Sequence, residues 1–168
     1  METTAEKRFD WHRGAPQGLQ AMLGLQTYVN KAGLEHSLLE LVKMRASQIN
    51  GCAYCLDMHF KDATAAGETP QRLYLLDAWR ETKFYSARER AALAWTEALT
   101  LVTQGHVPDE LYQSVRAHFS EQELANLSLA IVAINGWNRL CIAFRVEAGT
   151  YQAARVHKQG SAPPSDAA

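Results

Sequence analysis

The sequence predicts an all-α fold, and three observations lead to this expectation. Along most of the chain, apolar residues recur every three or four positions, as they do on one face of a helix. No stretch alternates with the period of two that is typical of a half-buried strand. Hydroxyl residues, prolines and glycines stand where helices are expected to begin and end. The whole pattern indicates a single-domain bundle of about seven helices with short connections.

The first three predicted helices are each followed by a glycine, which can end a helix by adopting a left-handed conformation. They cover residues 16–32, 37–50 and 52–66. Ser37 and Glu40 have the spacing of a capping box, in which a hydroxyl and a carboxylate bond free N–H groups at the helix start. Because the connection between the second and third helices is very short, we expect these two to form an antiparallel αα-hairpin.

Four further helices are predicted in the second part of the chain. They begin at Thr69-Pro70, Ser86, Pro108-Asp109 and Ser120. Proline at the first helical position, and a serine three residues before a glutamate, are both typical helix starts. The helix that begins at Ser86 is expected to run to about Thr103. The last helix is apolar on more than one face, which predicts a place at the centre of the fold or in a subunit interface.

The length of 168 residues fits one domain. We divide the chain into an N-terminal arm (residues 1–15), a helical domain (residues 16–147) and a C-terminal tail (residues 148–168). The arm carries scattered aromatic residues and is expected to pack on the body or on a neighbouring subunit. The tail ends in KQGSAPPSDAA, a composition that predicts partial disorder.

The composition argues against several classes of function. A net charge of −1 and a pI near 6.6 leave no dominant basic patch, so we expect no nucleic-acid partner. No uninterrupted apolar run approaches the ~20 residues of a membrane span, so we expect no membrane partner. The N-terminus is polar and lacks the apolar segment of a secretory signal, which predicts a cytoplasmic protein. Structural disulfides are rare there, so a C-x-x-C pair is expected to be redox-active or metal-binding.

One cluster of residues indicates chemistry, and it lies in the predicted hairpin. It consists of Glu40, Cys52, Cys55 and His59. At ~1.5 Å per residue, Glu40 lies roughly 16 Å from the turn along its helix and His59 roughly 12 Å along the next. The two side chains can therefore face each other at similar height. Cys52, Cys55 and His59 are three and four residues apart, so they share one face of their helix.

This set of residue types makes a thiol redox site. The thiolate is the nucleophile, and both a helix start and a nearby imidazole lower the pKa of a thiol from its usual ~8.5. A carboxylate bonded to the far imidazole nitrogen would hold the ring in one tautomer and increase its basicity. A second cysteine can resolve the oxidised sulfur as a disulfide before it over-oxidises.

The spacing resembles a known family signature. Glu40, eleven residues, and then Cys52-x-x-Cys55-x-x-x-His59 is similar to the signature of the AhpD-like alkylhydroperoxidases, within the carboxymuconolactone decarboxylase superfamily. The surrounding RASQINGCAYCLDMHFKDA and the late SLAIVAINGWNRLCIAFRV also resemble that family. The resemblance covers roughly residues 16–147, and its five-part spacing is far more specific than a lone C-x-x-C pair.

The resemblance implies an all-α homo-oligomer, a trimer or hexamer, that reduces hydroperoxides with no cofactor besides a Cys52–Cys55 redox disulfide. Carried over by position, Cys55 is the peroxidatic cysteine and Cys52 the resolving one, with His59 and Glu40 as proton relay. The implied reductant is a thiol, such as a dihydrolipoyl group on a partner protein. Tyr54 stands where the best-known branch has a second histidine, and a phenol with pKa ~10 is a poor base at neutral pH. This departure bears on peroxidase rate and on the lipoyl partner.

Several alternatives stay open at the level of sequence. Glu40 could serve only the capping box with Ser37, and His59 could be a structural histidine. The C-x-x-C-x-x-x-H set could bind zinc, although no second Cys/His cluster supplies an obvious fourth ligand. Cys141, in the apolar last helix, is interpreted as a buried small hydrophobe. Two other functions remain: a lactone decarboxylase-like enzyme of the same superfamily, and a non-enzymatic redox-sensing oligomer.

Overall fold

The computed structural model describes residue 6 and residues 8–153, and in this part of the chain all regular structure is helical. The all-α prediction is confirmed. The α-helices are α1 (Trp11–Gly14), α2 (Pro16–Lys31), α3 (His36–Asn50), α4 (Ala53–Ala65), α5 (Pro70–Tyr74), α6 (Ala87–Thr100), α7 (Asp109–Arg116) and α8 (Glu121–Phe144). Two 3₁₀ segments, Leu75–Glu81 and Val102–Gln104, follow α5 and α6.

Most predicted helix boundaries are explained by local chemistry. Ser86 and Ser120 each cap a helix, and the glutamate three residues later bonds back to the serine N–H, so both capping boxes are confirmed. Gly51 ends α3 with φ 68°, a conformation that glycine adopts without strain. Thr69 caps α5 by accepting from the N–H of Arg72 at 3.3 Å.

Three local predictions are wrong. The capping box of Ser37 and Glu40 does not form, because α3 begins at His36 with Glu35 as N-cap residue. The carboxylate of Glu40 instead turns inward, where it has charged partners, and only 3 % of the residue is exposed. The helix after Thr69 leaves the α conformation at Leu75, and α6 ends at Thr100 rather than near Thr103; both continue as 3₁₀ segments.

Helix α3 is buried on both sides. Leu39 and Val42 pack into a core with residues of α6, α7 and α8, whereas Leu41 and Met44 pack into a second core with α4, α5 and the 3₁₀ segment after it. Because two cores hold it, the register of α3 is strongly fixed. The helix therefore presents Glu40 and the end of the hairpin in a defined position.

Helix α8 lies at the centre of the fold, as predicted, in contact with α2, α3, α4, α6 and α7. By length and composition it could cross a membrane, but core helices of soluble proteins meet the same criterion. A buried amide seam ties α8 to the end of α3: Asn50 donates to Asn135 and Asn138 at 3.0 and 2.9 Å, and Asn138 donates to Ser47 at 3.0 Å. This seam sets which part of α8 faces the hairpin.

Both ends of the described chain pack on the helical body. In the arm, Trp11 is buried and Phe9 stacks edge-on against Phe144 with 4.9 Å between ring centroids. After α8, the hydroxyl of Tyr151 donates to Asp62 of α4 at 2.7 Å. The predicted disorder of the tail concerns mainly residues 154–168, which lie outside the described residues. The boundaries at residues 15 and 147 stay predictions.

Candidate active site

The αα-hairpin is formed as predicted, by α3, Gly51 and α4. Cys52 is the N-cap residue of α4, Cys55 lies in its first turn and His59 one turn later. Each of the three is buried, with at most 7 % of the residue exposed. The face of α4 that carries the two sulfurs and the imidazole therefore points toward the protein interior.

Glu40 and His59 meet across the hairpin. Glu40 Oε2 lies 2.9 Å from His59 Nδ1, so the two residues predicted to face each other do so. An ionised carboxylate can only accept, so Nδ1 carries the hydrogen, and in the neutral form of the ring Nε2 has the lone pair. The geometry thus provides an oriented base, whichever reaction it serves.

Lys43 completes this pair and was missed by the sequence reasoning. Its Nζ donates to Glu40 Oε1 at 2.8 Å, and the lysine is only 6 % exposed. Burial by itself raises the pKa of the Glu40 carboxyl, but hydrogen bonds and charge attraction from His59 and Lys43 outweigh it and lower this pKa to about 2. Glu40 is therefore a carboxylate throughout the physiological range.

The lowered pKa of Glu40 predicts an acid-dependent loss of stability. Because the folded protein holds this proton less tightly than the unfolded chain, Glu40 stabilises the fold fully above pH 4.5, and this contribution disappears as the pH falls toward 2. We expect Glu40→Gln to lower the free energy of unfolding at pH 7 by about 3 kcal/mol. Urea unfolding at a series of pH values should show this deficit shrinking below pH 4.5. The exposed Glu110→Gln is the control; a deficit that is constant with pH would contradict the assignment.

Three sulfurs lie together at the start of α4. The Sγ atoms of Cys52, Cys55 and Cys141 are all within 4.8 Å of one another, and all three cysteines are free and buried. Cys141 was interpreted from the sequence as a small hydrophobe. It is buried as expected, but it belongs to the site, because the amide seam places its turn of α8 against the hairpin. Nothing local in the sequence around Cys141 indicates this contact.

The cluster concentrates negative charge on Cys52. Hydrogen bonds from the thiols of Cys141 and Cys55 outweigh the opposing effect of burial and lower the pKa of the Cys52 thiol to about 3. The N–H of Cys55 and the amide of Asn138 add to this stabilisation. The same sulfur contacts raise the pKa of Cys55 and raise that of Cys141 to about 12. Within the cluster, Cys52 is therefore the cysteine whose thiolate form is favoured.

The side chain of Asn138 contacts the Cys52 sulfur and also bonds Ser47 and Asn50 of α3. A substitution at this position therefore tests both the thiol pKa and the stability of the fold. We expect Asn138→Leu to destabilise the protein by about 2 kcal/mol, because Ser47 and Asn50 lose a buried partner. The variant should also raise the pKa of the Cys52 thiol, measured by ultraviolet titration of thiolate absorbance. Asn126→Leu is the matched control: it removes another buried asparagine of α8, one that bonds Ala32 and Tyr28. If both variants leave the thiol titration unchanged, Asn138 does not stabilise the thiolate.

A cavity of about 400 Å³ opens beside these groups. Cys55, Cys141, His59 and Lys43 are in its wall, whereas Cys52 is not. The rest of the wall combines apolar and polar side chains, namely Trp11, His12, Leu19, Leu23, Gln26, Asn30, Tyr54, Met58, Asp62, Trp137 and Val146. The indole N–H of Trp11 is buried and has no hydrogen-bond partner among the described residues. The cavity thus suits a small, largely apolar molecule that carries an acceptor.

Tyr54 lines the same cavity at the position where the sequence analysis noted a departure from the family pattern. Burial, and then the nearby Cys141 and Cys55, raise the pKa of its phenol. Tyr54 is therefore a neutral hydroxyl group that can donate a hydrogen bond, and it does not serve as a base at neutral pH.

The zinc alternative gains a third sulfur but no fourth ligand. Cys52, Cys55 and Cys141 form the one group of three or more His, Cys, Asp or Glu side chains, within the part of the chain that the structure describes, whose ligand atoms lie close enough for a metal ion. His59 is not in that group. A tetrahedral site of the C-x-x-C-x-x-x-H type is thus not formed by these residues.

Comparison with known proteins agrees with the architecture. Residues 16–98 match the carboxymuconolactone decarboxylase family. The uncharacterized protein YdfG of Bacillus subtilis is 45 % identical over 137 residues, which are 82 % of this chain and 93 % of YdfG. The chain belongs to the AhpD-like carboxymuconolactone decarboxylase superfamily.

Solved AhpD-like structures extend this result. The crystal structure of ATU0492 from Agrobacterium tumefaciens, a protein of unknown function named as a candidate antioxidant defence protein AhpD, matches with TM-score 0.83 and 39 % identity. The match covers 87 % of this chain and all of ATU0492. The debrominase Bmp8 shares the fold at 22 % identity, with TM-score 0.73 over 82 % of this chain and 74 % of Bmp8. The AhpD-like fold thus includes enzymes whose names indicate more than one reaction.

Proposed function

We propose that this protein is a thiol-dependent peroxidase that reduces hydroperoxides through a Cys52–Cys55 dithiol/disulfide cycle. The observation that carries the proposal is the division of roles around the cavity. Cys55 and His59 share its wall, whereas Cys52, the cysteine whose pKa the cluster lowers, is not part of that wall. Attack on a substrate and resolution of the product thus fall to different sulfurs.

In the first step, Cys55 attacks the terminal oxygen of the hydroperoxide. Its thiol proton passes to Nε2 of His59, and the sulfur forms a bond to oxygen as the O–O bond breaks. The departing alkoxide takes the proton from the imidazolium and leaves as the alcohol. Glu40 accepts from Nδ1 and stabilises the positive ring in between. Cys55 becomes a sulfenic acid.

In the second step, the Cys52 thiolate attacks the Cys55 sulfur. The S–S bond forms, the S–O bond breaks, and the departing hydroxide takes up a proton to become water. The low pKa of Cys52 supports this role, because its sulfur is ionised before it is needed. The summed reaction converts two thiols and a hydroperoxide into a disulfide, an alcohol and water.

The substrate class that we infer from the cavity is a small organic hydroperoxide. The apolar wall, with Trp11, Trp137 and Leu23, suits an alkyl or aryl group. The ammonium of Lys43, in the wall of the cavity, offers a donor to oxygen atoms. On this basis an aryl hydroperoxide such as cumene hydroperoxide should react faster than hydrogen peroxide.

The reductant, cellular location and assembly belong to the same proposal. A dithiol, such as a dihydrolipoyl group on a partner protein, would return the disulfide to the reduced state. A cytoplasmic location suits a cycle that needs reduced thiols. The homo-oligomer, a trimer or hexamer, is supported by exposed apolar side chains on α2 and α8, including Tyr28, Leu129 and Val132.

A second candidate reaction is reductive dehalogenation. The solved complex of Bmp8 with 2,3,4-tribromopyrrole shows that this fold can hold a halogenated aromatic ligand, and the cavity here has aromatic residues beside two thiols. A dithiol can replace aryl bromine by hydrogen, with bromide, a proton and a disulfide as the other products. If the protein were a lactone decarboxylase, the sulfur cluster would have no role in the reaction. If it were only a redox-sensing oligomer, the pairing of His59 with Glu40 would have no role.

The deciding experiment is stopped-flow consumption of cumene hydroperoxide by the reduced protein, followed by mass spectrometry. We expect rapid, thiol-dependent consumption and a loss of two hydrogens that maps to cysteines of the cluster. Parallel incubation with 2,3,4-tribromopyrrole, with bromide release as readout, tests the second candidate. Consumption no faster than that by free dithiothreitol would end the peroxidase proposal, and bromide release without peroxide consumption would replace it.

A further inference from the structure

Cys141 occupies a position that the two-cysteine cycle does not use. Its sulfur lies within 4.8 Å of both other sulfurs. It stands one turn after Asn138, whose amide bonds Ser47 and accepts from Asn50. The contact is therefore held by the fold itself and does not depend on a mobile segment.

Cys141 also lies between two openings. It lines the 400 Å³ cavity together with Cys55 and His59. It lines a second cavity, of about 220 Å³, together with Cys52, Ala53 and Arg145. Cys55 is in the wall of the first cavity alone, and Cys52 in the wall of the second. Cys141 is thus the one sulfur of the cluster that both cavities reach.

We propose that Cys141 is a third redox-active thiol, which exchanges with the Cys52–Cys55 disulfide and moves it to a Cys52–Cys141 disulfide at the second cavity. This inference deepens the proposed function and rests on it for its biological context. The exchange itself can be tested without a peroxide.

The exchange balances within the three cysteines. The Cys141 thiolate attacks the Cys52 sulfur, the Cys52–Cys141 bond forms and the Cys52–Cys55 bond breaks with its electron pair on Cys55. The proton given up by Cys141 is recovered by the Cys55 thiolate. One thiol and one disulfide enter, and one thiol and one disulfide remain, so no further oxidant or reductant is needed.

The reduced cluster suppresses the Cys141 nucleophile, and oxidation removes the suppression. In the reduced protein, the hydrogen bond between Cys141 and the Cys52 sulfur is the main cause that raises the pKa of Cys141 to about 12. Once Cys52 is part of a disulfide it carries no negative charge, and that cause disappears. The smaller opposing effect of the Cys55 thiol, whose hydrogen bond lowers the pKa of Cys141, is lost at the same time. Because the effect of Cys52 is the larger of the two, the disulfide favours ionisation of Cys141.

The exchange would separate the two halves of the catalytic cycle. It returns Cys55 to the thiol form beside His59, so a second hydroperoxide can react before any reductant arrives. It also places the disulfide at the cavity lined by Cys52, where a reductant need not displace substrate. Both effects depend on Cys141 reaching Cys52, the contact that the amide seam provides.

The test is disulfide mapping after oxidation with one equivalent of diamide, which oxidises dithiols without peroxidase chemistry. Chelator is present, and an acid quench precedes alkylation under denaturing conditions. Trypsin cuts after Arg45, Lys61, Arg139 and Arg145, so Cys52 and Cys55 share one peptide and Cys141 is in another. A Cys52–Cys55 disulfide closes a loop in one peptide, whereas a Cys52–Cys141 disulfide joins the two.

In the native sequence we expect the joined pair, with Cys55 alkylated, at least about tenfold above the background of Cys141→Ser, since sulfurs this close exchange readily. Cys55→Ser, which leaves Cys52 and Cys141, is the positive control for detection of the joined peptides. If the native sequence yields only the peptide looped by a Cys52–Cys55 disulfide, the third-thiol role is overturned. This holds whether or not the control variant forms the joined peptides.

Measuring peroxide consumption as well as diamide oxidation distinguishes failure of the third-thiol role from failure of the peroxidase function. Peroxide consumption with only the looped peptide leaves the peroxidase proposal intact and removes Cys141 from it. Joined peptides after diamide without peroxide consumption keep the third thiol and remove the peroxidase. When both hold, a second equivalent of peroxide should yield a dimedone adduct on Cys55 in the native sequence, and this adduct should be lost in Cys141→Ser.

Discussion

Cys55→Ser is expected to reduce the rate of hydroperoxide consumption by ~10³-fold or more, to the level of the uncatalysed reaction with free thiol. The reason is geometric. Of the two cysteines in the proposed cycle, Cys55 shares the wall of the substrate cavity with His59, whereas Cys52 is not part of that wall. A hydroxyl in place of the thiol cannot form the sulfenic acid, so the low pKa of Cys52 brings no benefit.

The matching measurement is single-turnover stopped flow with fully reduced protein and limiting cumene hydroperoxide. The double variant Cys52→Ser/Cys141→Ser is the informative comparison, because it keeps the attacking sulfur and removes both thiols that lie within 4.8 Å of it. This variant should accumulate a Cys55 sulfenic acid that dimedone traps. Rapid consumption by Cys55→Ser, with an adduct on Cys52, would reverse the two roles. Circular dichroism and thermal unfolding of both variants establish that the cluster tolerates serine.

His59→Ala is expected to slow the peroxide step by ~10²-fold. Without the imidazole, the Cys55 proton has no acceptor in the cavity, and the pKa that governs peroxide consumption should rise. His59→Gln keeps a donor for Glu40 and the side-chain volume but cannot take a proton, so it should be equally slow. A structural role for His59 predicts the opposite result, with Gln close to the native rate.

Two further readouts sharpen this prediction. Added imidazole can enter the space left in His59→Ala and should restore part of the rate, which packing alone would not explain. His118→Ala replaces an exposed histidine far from the cavity and serves as the control. An unchanged pH profile in His59→Ala would mean that another group takes the proton, and the carboxylate of Asp62 also lines the cavity.

Residues close in sequence made much of this site predictable. Cys52, Cys55 and His59 lie on one helical turn and the next, and α-helical geometry alone puts them on one face. The short connection at Gly51 makes α3 and α4 antiparallel, and this brings Glu40 to the height of His59. Fold class, hairpin and relay therefore follow from local rules, and the contact of 2.9 Å agrees with them.

The errors and omissions have a common physical origin, which is tertiary packing. Ser37 and Glu40 have the spacing of a capping box, but the buried carboxylate of Glu40 bonds Lys43 and His59 instead of a helix N–H. Cys141 is far from Cys55 along the chain, and only the register of α8 on α3 brings it to the cluster. That register depends on side-chain hydrogen bonds of buried asparagines, and no local sequence pattern indicates which residues these asparagines bond.

The depth of the sulfur cluster has a practical consequence for anyone who handles this protein. Cys52 and Cys55 are each 1 % exposed and Cys141 is 9 % exposed. A bulky alkylating dye added to native samples will therefore report how often the bundle opens, because reaction needs a transient opening. Thiol quantification with such dyes on the native protein will give too few thiols. A freshly reduced sample will therefore be mistaken for an oxidised one.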